Sequence, residues 1–453
     1  MKLWKNFKIL ISVVILMPFS RGLYAQTDPF TNEPTEQQLI LKLEDALLLA
    51  LDQNLTLKIA NQEVKRVDWL KRENWYALLP AVSGGGQYTN NILKPVFFSD
   101  FFPGGKMEVG STHSYAFTGA LQVPLLSMPL FKNIELSELE LKAALESLRN
   151  TKIELVAQVK NSFYGILMME ESLKVLQESY NNAKETANNI KKMFENGLTS
   201  EYDMIRSDVS VRNITPSIAQ ATSGLELAKM QLKVLLSLDL NIPLKLEGDI
   251  SSYKEQMSAK RPVLHPMLEG NSTLRSLEIQ LESLNKSFEL IRSQRLPSLA
   301  GFANYQLQMQ NNDFSFNEAW SNSFAVGISV QIPIFNKFSI SLKEKQTKIG
   351  IQQLQYQREL MENNLTISVR NSVNEMNRAT VQLESDIEAV KQATKGYEIA
   401  KVRYNTGAGT LLELNDTEIA LTSSKLNLNQ TIYDYIKAKT EYDKVLGKES
   451  INN

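Results

Sequence analysis

Two long stretches of this sequence carry the same marks in the same order, and that doubling limits the fold more than any other feature. Asn54 lies 25 residues ahead of Leu79 in a Leu-Pro pair, and Asn271 lies 25 residues ahead of Leu296 in a second one. Both intervals are helical in pattern and stop at the proline, which disfavours the helical region for the residue before it. Each Leu-Pro opens a strand-like segment, and a second such segment ends in Val123-Pro124 or Ile332-Pro333. A long helical run then reaches Gly197 or Gly407, 73 and 74 residues beyond those prolines. The order helix, strand, loop, strand, very long helix, turn, returning helix is therefore expected twice. The first repeat spans 26–240, with strands near 81–93 and 113–125. A linking segment spans 241–270, and the second repeat spans 271–447, with strands near 298–309 and 322–334. Residues 448–453 form a tail.

The long helices carry heptads. From Leu145, alternating steps of three and four reach Leu148, Leu155, Val159, Ile166, Leu173, Leu176, Tyr180, Ile190 and Phe194, and thirteen of the fifteen positions are apolar. The second copy runs from Leu365 through Val369, Met376, Leu383, Val390 and Tyr397 to Tyr404, with Ser372 and Asp386 as its two polar members. Such a pattern predicts coiled-coil packing. At 1.5 Å per residue, some 70 residues extend about 100 Å, a length suited to a rod, tube or bridge.

The strand segments alternate. Tyr115, Phe117, Leu121 and Val123 fall on one face, against Ser114, Ala116, Thr118, Ala120 and Gln122. Phe324, Val326, Ile328, Val330 and Ile332 oppose Ala325, Gly327, Ser329 and Gln331. A membrane barrel needs this pattern, with lipid outside and water inside; a sheet packed on a soluble core alternates in the same way. Residues 1–25 read as a secretory signal peptide, with Lys2, Lys5 and Lys8 before an apolar run at 9–19 and Ala25 at the expected cut. No later stretch approaches the roughly 20 uncharged residues a spanning helix requires. An exported chain that spans a membrane without helices must use strands. Four strands cannot close a barrel. Two chains would supply eight and three would supply twelve, and twelve can leave a lumen.

Composition removes several alternatives. The chain has no cysteine, two histidines (His113 and His265) and a net charge of −1. Thiol chemistry, disulfides and histidine-based metal cages or triads are left without material. No basic block suggests nucleic-acid binding. Gly84-Gly85-Gly86 sits in a strand segment without the following helix that a phosphate loop requires. The expectation is a non-enzyme without cofactor or metal.

The doubled helix–strand–strand–helix order, the Leu-Pro strand openings and the glycine turns resemble the TolC-like outer-membrane factors over about 42–447. The resemblance implies a mostly α fold with a β-barrel part: a homotrimer whose 12-stranded barrel, four strands per chain, sits in outer-membrane lipid of a Gram-negative bacterium. A long periplasmic α-helical coiled-coil barrel continues it. It also implies a passive exit duct in a tripartite efflux or type I secretion system, with a periplasmic adaptor (membrane fusion) protein and an inner-membrane pump of RND or ABC type. A secreted trimeric coiled-coil adhesin or stalk anchored in the outer membrane shares the signal peptide and heptads. It does not account for two strand pairs each leading into an equally long helix.

The resemblance also nominates residues. The turn Asn196-Gly197-Leu198-Thr199-Ser200 and its second copy, Thr406-Gly407-Ala408-Gly409-Thr410, resemble the family's turns at the closed periplasmic tip, which meet the adaptor. Glycine supplies the backbone freedom to reverse two helices. Glu413 and Asp416 match, by spacing from Gly407, two carboxylates of the pore constriction; Thr410-Leu-Leu-Glu413 also reads as a capping box. Tyr404 and Asp203 match a pair that joins neighbouring tip helices. Gly409 stands where the family archetype has an arginine, which weakens the expected latch. Phe97, Phe98, Phe101, Phe102 and Pro103 fill the loop between the first two strands, as an interfacial aromatic cluster or a constriction of the mouth. Pro243, Pro262, Pro266 and His265 belong to an expected equatorial segment, with His265 structural.

Overall fold

A computed structural model describes residues 39–101, 103–254, 257 and 268–449. The expected signal peptide, Phe102, Pro262, His265 and Pro266 lie outside them. The chain is mostly helical. Short helix α1 (Leu43–Gln53) leads into α2 (Leu55–Tyr76). Strands β2 (Ala81–Asn90) and β5 (His113–Leu126) follow, then α3 (Met128–Glu195) and α4 (Glu201–Leu235). The later half runs α5 (Ser272–Ser293), β7 (Ser298–Asn311), β8 (Ser321–Gln331), α6 (Ser339–Asn405) and α7 (Leu411–Val445). Corresponding helices match in length, with 22 residues in α2 and α5, 68 and 67 in α3 and α6, and 35 in α4 and α7.

The two asparagines that open the sequence pattern have the same task in each half. Asn54 caps α2 by accepting from the Leu57 amide (3.1 Å), and its Nδ2 donates to the Leu235 carbonyl (2.8 Å) at the end of α4. Asn271 caps α5 by accepting from the Leu274 amide (3.0 Å) and donates to the Val445 carbonyl (2.7 Å) at the end of α7. One amide side chain thus satisfies an orphan donor of one helix and an orphan acceptor of another. Each returning helix is tied back to the base of its own half.

The heptads form buried seams, except at the two ends of the α3 set, where Leu145 and Phe194 are exposed. All twelve positions marked in α6 are buried or half-buried, the polar pair included. Asp386 accepts from Thr431 Oγ1 (2.6 Å) on α7 and from Gln382 Nε2 (2.8 Å), which supports a buried carboxylate. The main core gathers where α3 meets α1, α4 and α7, around Leu47, Val159, Phe163, Ile166, Leu232, Leu236 and Ile432. A parallel pair unmarked in the sequence, β1 (Leu39–Leu41) with β6 (Leu244–Leu246), joins this region.

The main sheet is antiparallel in the order β2-β5-β7-β8. Its register places Tyr88, Tyr115, Met309, Phe117, Leu307, Tyr305 and Phe324 on one face. The other face carries Gln87, Thr118, Gln122, Asn304, Gln306, Gln308, Ser323 and Ser329. No Asp, Glu, Lys or Arg occurs in the four strands. Phe302 is the one aromatic on the polar face among the described residues, and its ring lies over Gly327, where a Cβ would meet Phe302 Cζ at 2.7 Å. The loop after β2 holds its own hairpin, β3 (Val96–Phe98) with β4 (Lys106–Glu108), and its Phe97, Phe98 and Phe101 are exposed. At the same end of the apolar face, Phe314 and Phe316 pack on Tyr88 and Tyr115.

Candidate functional site

The two turns far from the sheet share one construction. Gly197 and Gly407 adopt φ of 73° and 74°, a conformation costly for any residue with a Cβ. Around the first, the Gly197 amide donates to the Phe194 carbonyl (2.8 Å) and the Leu198 amide to the Met193 carbonyl (2.8 Å). Around the second, the Gly407 amide donates to the Tyr404 carbonyl (3.0 Å), and the amides of Ala408 (2.8 Å) and Gly409 (3.0 Å) both donate to the Arg403 carbonyl. Paired bonds of this kind satisfy the last carbonyls of a helix and stop it. Ser200 and Thr410 then cap the returning helices, accepting from the amides of Asp203 (3.1 Å) and Glu413 (3.2 Å). Leu198 is exposed, while Thr199 and Gly409 are half-covered.

Gly409 serves close approach. A Cβ there would lie 3.0 Å from Arg403 Cβ, 3.2 Å from the Tyr404 amide nitrogen and 3.3 Å from the Arg403 carbonyl carbon. Any side chain, arginine included, meets fixed backbone. The nearby cation comes instead from Arg403, a residue the sequence reading did not mark. Its Nη2 donates to the Ala408 carbonyl (3.0 Å) and lies 3.5 Å from Glu413 Oε2. Glu413 therefore supplies the backbone half of a capping box while its carboxylate faces Arg403. Asp416 follows one helical turn later and is exposed, so the two acids share one side of α7.

Asp203 and Tyr404 come near one another without bonding. Burial raises the Tyr404 phenol above its ordinary pKa, and the charge of Asp203 adds to the effect. The Asp203 Oδ2 accepts instead from Ser200 Oγ (2.7 Å) and Thr199 Oγ1 (3.3 Å). Tyr404 packs at the edge of a small apolar cluster of Tyr397, Ala400, Leu414 and Leu421.

A second unmarked residue sits beside that cluster. Glu418 is 6% exposed, at a core position of the α7 heptad. Burial pushes its carboxyl up to about 7, against a smaller opposing pull from Lys401. Tyr397 is pushed up to about 12 by burial, with Glu418 and Glu185 adding their charges. Among the described residues no group of His, Cys, Asp and Glu is arranged to hold a metal ion. No helix among them is long and apolar enough to cross a membrane.

The family model for outer membrane efflux proteins matches residues 46–237 and again 263–448. The chain belongs to the outer membrane efflux protein family. Outer membrane protein TolC of Vibrio cholerae is 18% identical over 66% of this chain and 68% of that protein. Cobalt-zinc-cadmium resistance protein CzcC of Cupriavidus metallidurans is 23% identical over 94% of this chain and 95% of that protein. The crystal structure of the Campylobacter jejuni CmeC outer membrane channel superposes with a TM-score of 0.74 at 18% identity, covering 90% of this chain and 86% of that one. This efflux-protein fold carries the sheet and the paired helical turns on opposite ends of the same long helices.

Proposed function

We propose that this chain is the outer-membrane channel protomer of a tripartite efflux or type I secretion system, an exit duct from the periplasm to the outside that catalyses no reaction. The observation that carries this reading is the four-stranded sheet. One face is apolar, the other is polar and uncharged, and β5 passes within two residues into the 68-residue helix α3. An apolar face suits lipid, and an amide- and hydroxyl-rich face suits a water-filled lumen.

The chain works as a homotrimer. Strands β2 and β8 are the two edges of the sheet. Bare edges in lipid would leave amides unsatisfied, and three copies closing edge to edge give a 12-stranded barrel with a lumen. A second apolar stripe on α6 (Ile349, Tyr356, Leu360, Ile367) is exposed in the single chain and gives neighbouring helices a surface to pack on. The equal helix lengths, the paired asparagine caps and the two family-model matches support an internal twofold repeat.

At the tip, the turns at 197–199 and 407–410 meet a periplasmic adaptor, which couples the channel to an inner-membrane pump. Glu413 and Asp416 from three chains line the constriction, and a ring of carboxylates in a narrow throat attracts cations. Asp203 and Tyr404 lie at the closing point between the helix pairs. The test is single-channel conductance in a planar bilayer, with the wild type and the Asp203→Ala/Tyr404→Phe variant side by side. A small, cation-preferring conductance that rises in the variant is expected. Equal currents would remove the gate assignment. Folded, inserted oligomers that never conduct would remove the channel reading and restore the adhesin or stalk.

A further inference from the structure

Glu418 stands where the packing of α7 asks for an apolar side chain. Leu411, Leu414, Glu418 and Leu421 follow the three–four spacing, and all four are buried. Its Oε1 is enclosed and has no hydrogen-bond partner. The ionisable groups facing it are Tyr397 and Lys401 from α6, with Glu185 from α3 behind them. Lys401 Nζ lies 4.0 Å from Glu185 Oε2, so the nearest cation is already engaged with another acid. A neutral carboxyl fits this position. A carboxylate there keeps Oε1 enclosed without a hydrogen bond and has no committed counter-ion, and burial of such a charge is costly.

We propose that Glu418 makes the α6–α7 helix pair behind the tip proton-dependent: protonated, it is a core residue that holds the pair packed; ionised, it draws α7 outward toward the Lys401 amine and water. The consequence is regulatory and rests on the channel reading above, because α7 carries Glu413 and Asp416, and its cap Thr410 lies eight residues before Glu418. A drop in pH on the tip side would tighten the closed end, and a rise would loosen it.

The sign follows from linkage. The packed state holds the proton up to about pH 7, whereas a solvated glutamate releases it near 4.5. The packed state therefore has its full advantage below pH 4.5 and loses it as pH rises to 7 and beyond. Between pH 6 and pH 8 the loosened population should rise about tenfold.

The measurement is amide hydrogen exchange across 411–421 in the full-length oligomer. Each wild-type rate is divided by that of Glu418→Gln at the same pH, which cancels the intrinsic pH dependence of exchange. The expected ratio rises about tenfold from pH 6 to pH 8. Glu418→Leu, which keeps the core apolar, should behave like Glu418→Gln. A flat ratio overturns the proposal. Conductance measured in parallel separates the two readings. A rising exchange ratio in oligomers that never conduct keeps the proton-dependent helix pair and removes the channel, whereas pH-independent exchange in a conducting oligomer does the reverse.

Discussion

Replacing Gly409 with alanine puts one methyl group against three atoms that cannot all move. The new Cβ would sit 3.0 Å from Arg403 Cβ, 3.2 Å from the Tyr404 amide nitrogen and 3.3 Å from the Arg403 carbonyl carbon. Two of these are backbone, and they belong to the residues whose carbonyls stop α6. Overpacking of this size costs about 1–3 kcal/mol. Alanine returns about 0.4–1 kcal/mol by restricting the unfolded chain. The expected balance is a loss of about 1–2 kcal/mol, borne locally by the turn. Because 1.4 kcal/mol is tenfold in an equilibrium constant, exchange of the amides at 403–413 should accelerate about five- to thirtyfold. Gly396, inside α6 with nothing within 4 Å of its would-be Cβ, provides the contrast. Gly396→Ala should gain about 0.5–1 kcal/mol and leave the turn alone. If Gly409→Ala protects the turn as Gly396→Ala protects the helix, the close-approach argument is wrong.

Two further substitutions test the frame that holds the tip and the sheet. Asn271→Ala removes a helix cap and orphans the Val445 carbonyl, so chemical denaturation in detergent should show a loss of about 2–3 kcal/mol. An unchanged midpoint would mean that the base of the second half is held by packing alone. Gly327→Ala forces the Phe302 ring off the sheet at about 1–3 kcal/mol, and should lower the yield of heat-resistant oligomer. Adding Phe302→Leu should restore that yield, and failure of the rescue would place the strain elsewhere.

Much of this arrangement is legible in the sequence because it is written in periods. The three–four spacing from Leu365 to Tyr404 marks buried positions through Asp386 and Ser372, since the seam is set by geometry and tolerates polar members that find partners. Strand alternation likewise gives both faces of the sheet. The β3–β4 hairpin and the β1–β6 pair escape notice because three-residue strands are too short for a period to show. At the tip, the glycines mark themselves by the turn they must make. Arg403 does not, because its partner carbonyl at Ala408 becomes near only after the chain reverses. Glu418 could have been found by continuing the α7 spacing from Leu411 and Leu414, which lands on it.

The distribution of charge yields a last test. The sheet strands carry no acid or fixed base, so a barrel built from them has no means of sorting ions by sign. Under the proposed pore assignment the tip supplies such a preference, since Glu413 and Asp416 lie on the same side of α7. These two acids are not equivalent. Glu413 has the Arg403 guanidinium 3.5 Å away in its own chain, which offsets part of its charge. Asp416 forms no ion pair among the described residues and presents its full charge. Asp416→Asn should therefore move the reversal potential in a salt gradient toward zero more than Glu413→Gln does. Arg403→Gln should move it the other way, toward stronger cation preference, by exposing Glu413. Raising the salt should shrink all three effects together, because solvent-facing charges are screened within about 8 Å at physiological ionic strength. Equal shifts for the two acids would mean that the Arg403 contact does not persist in the assembled channel. A preference that survives loss of both acids would place the filter somewhere other than α7.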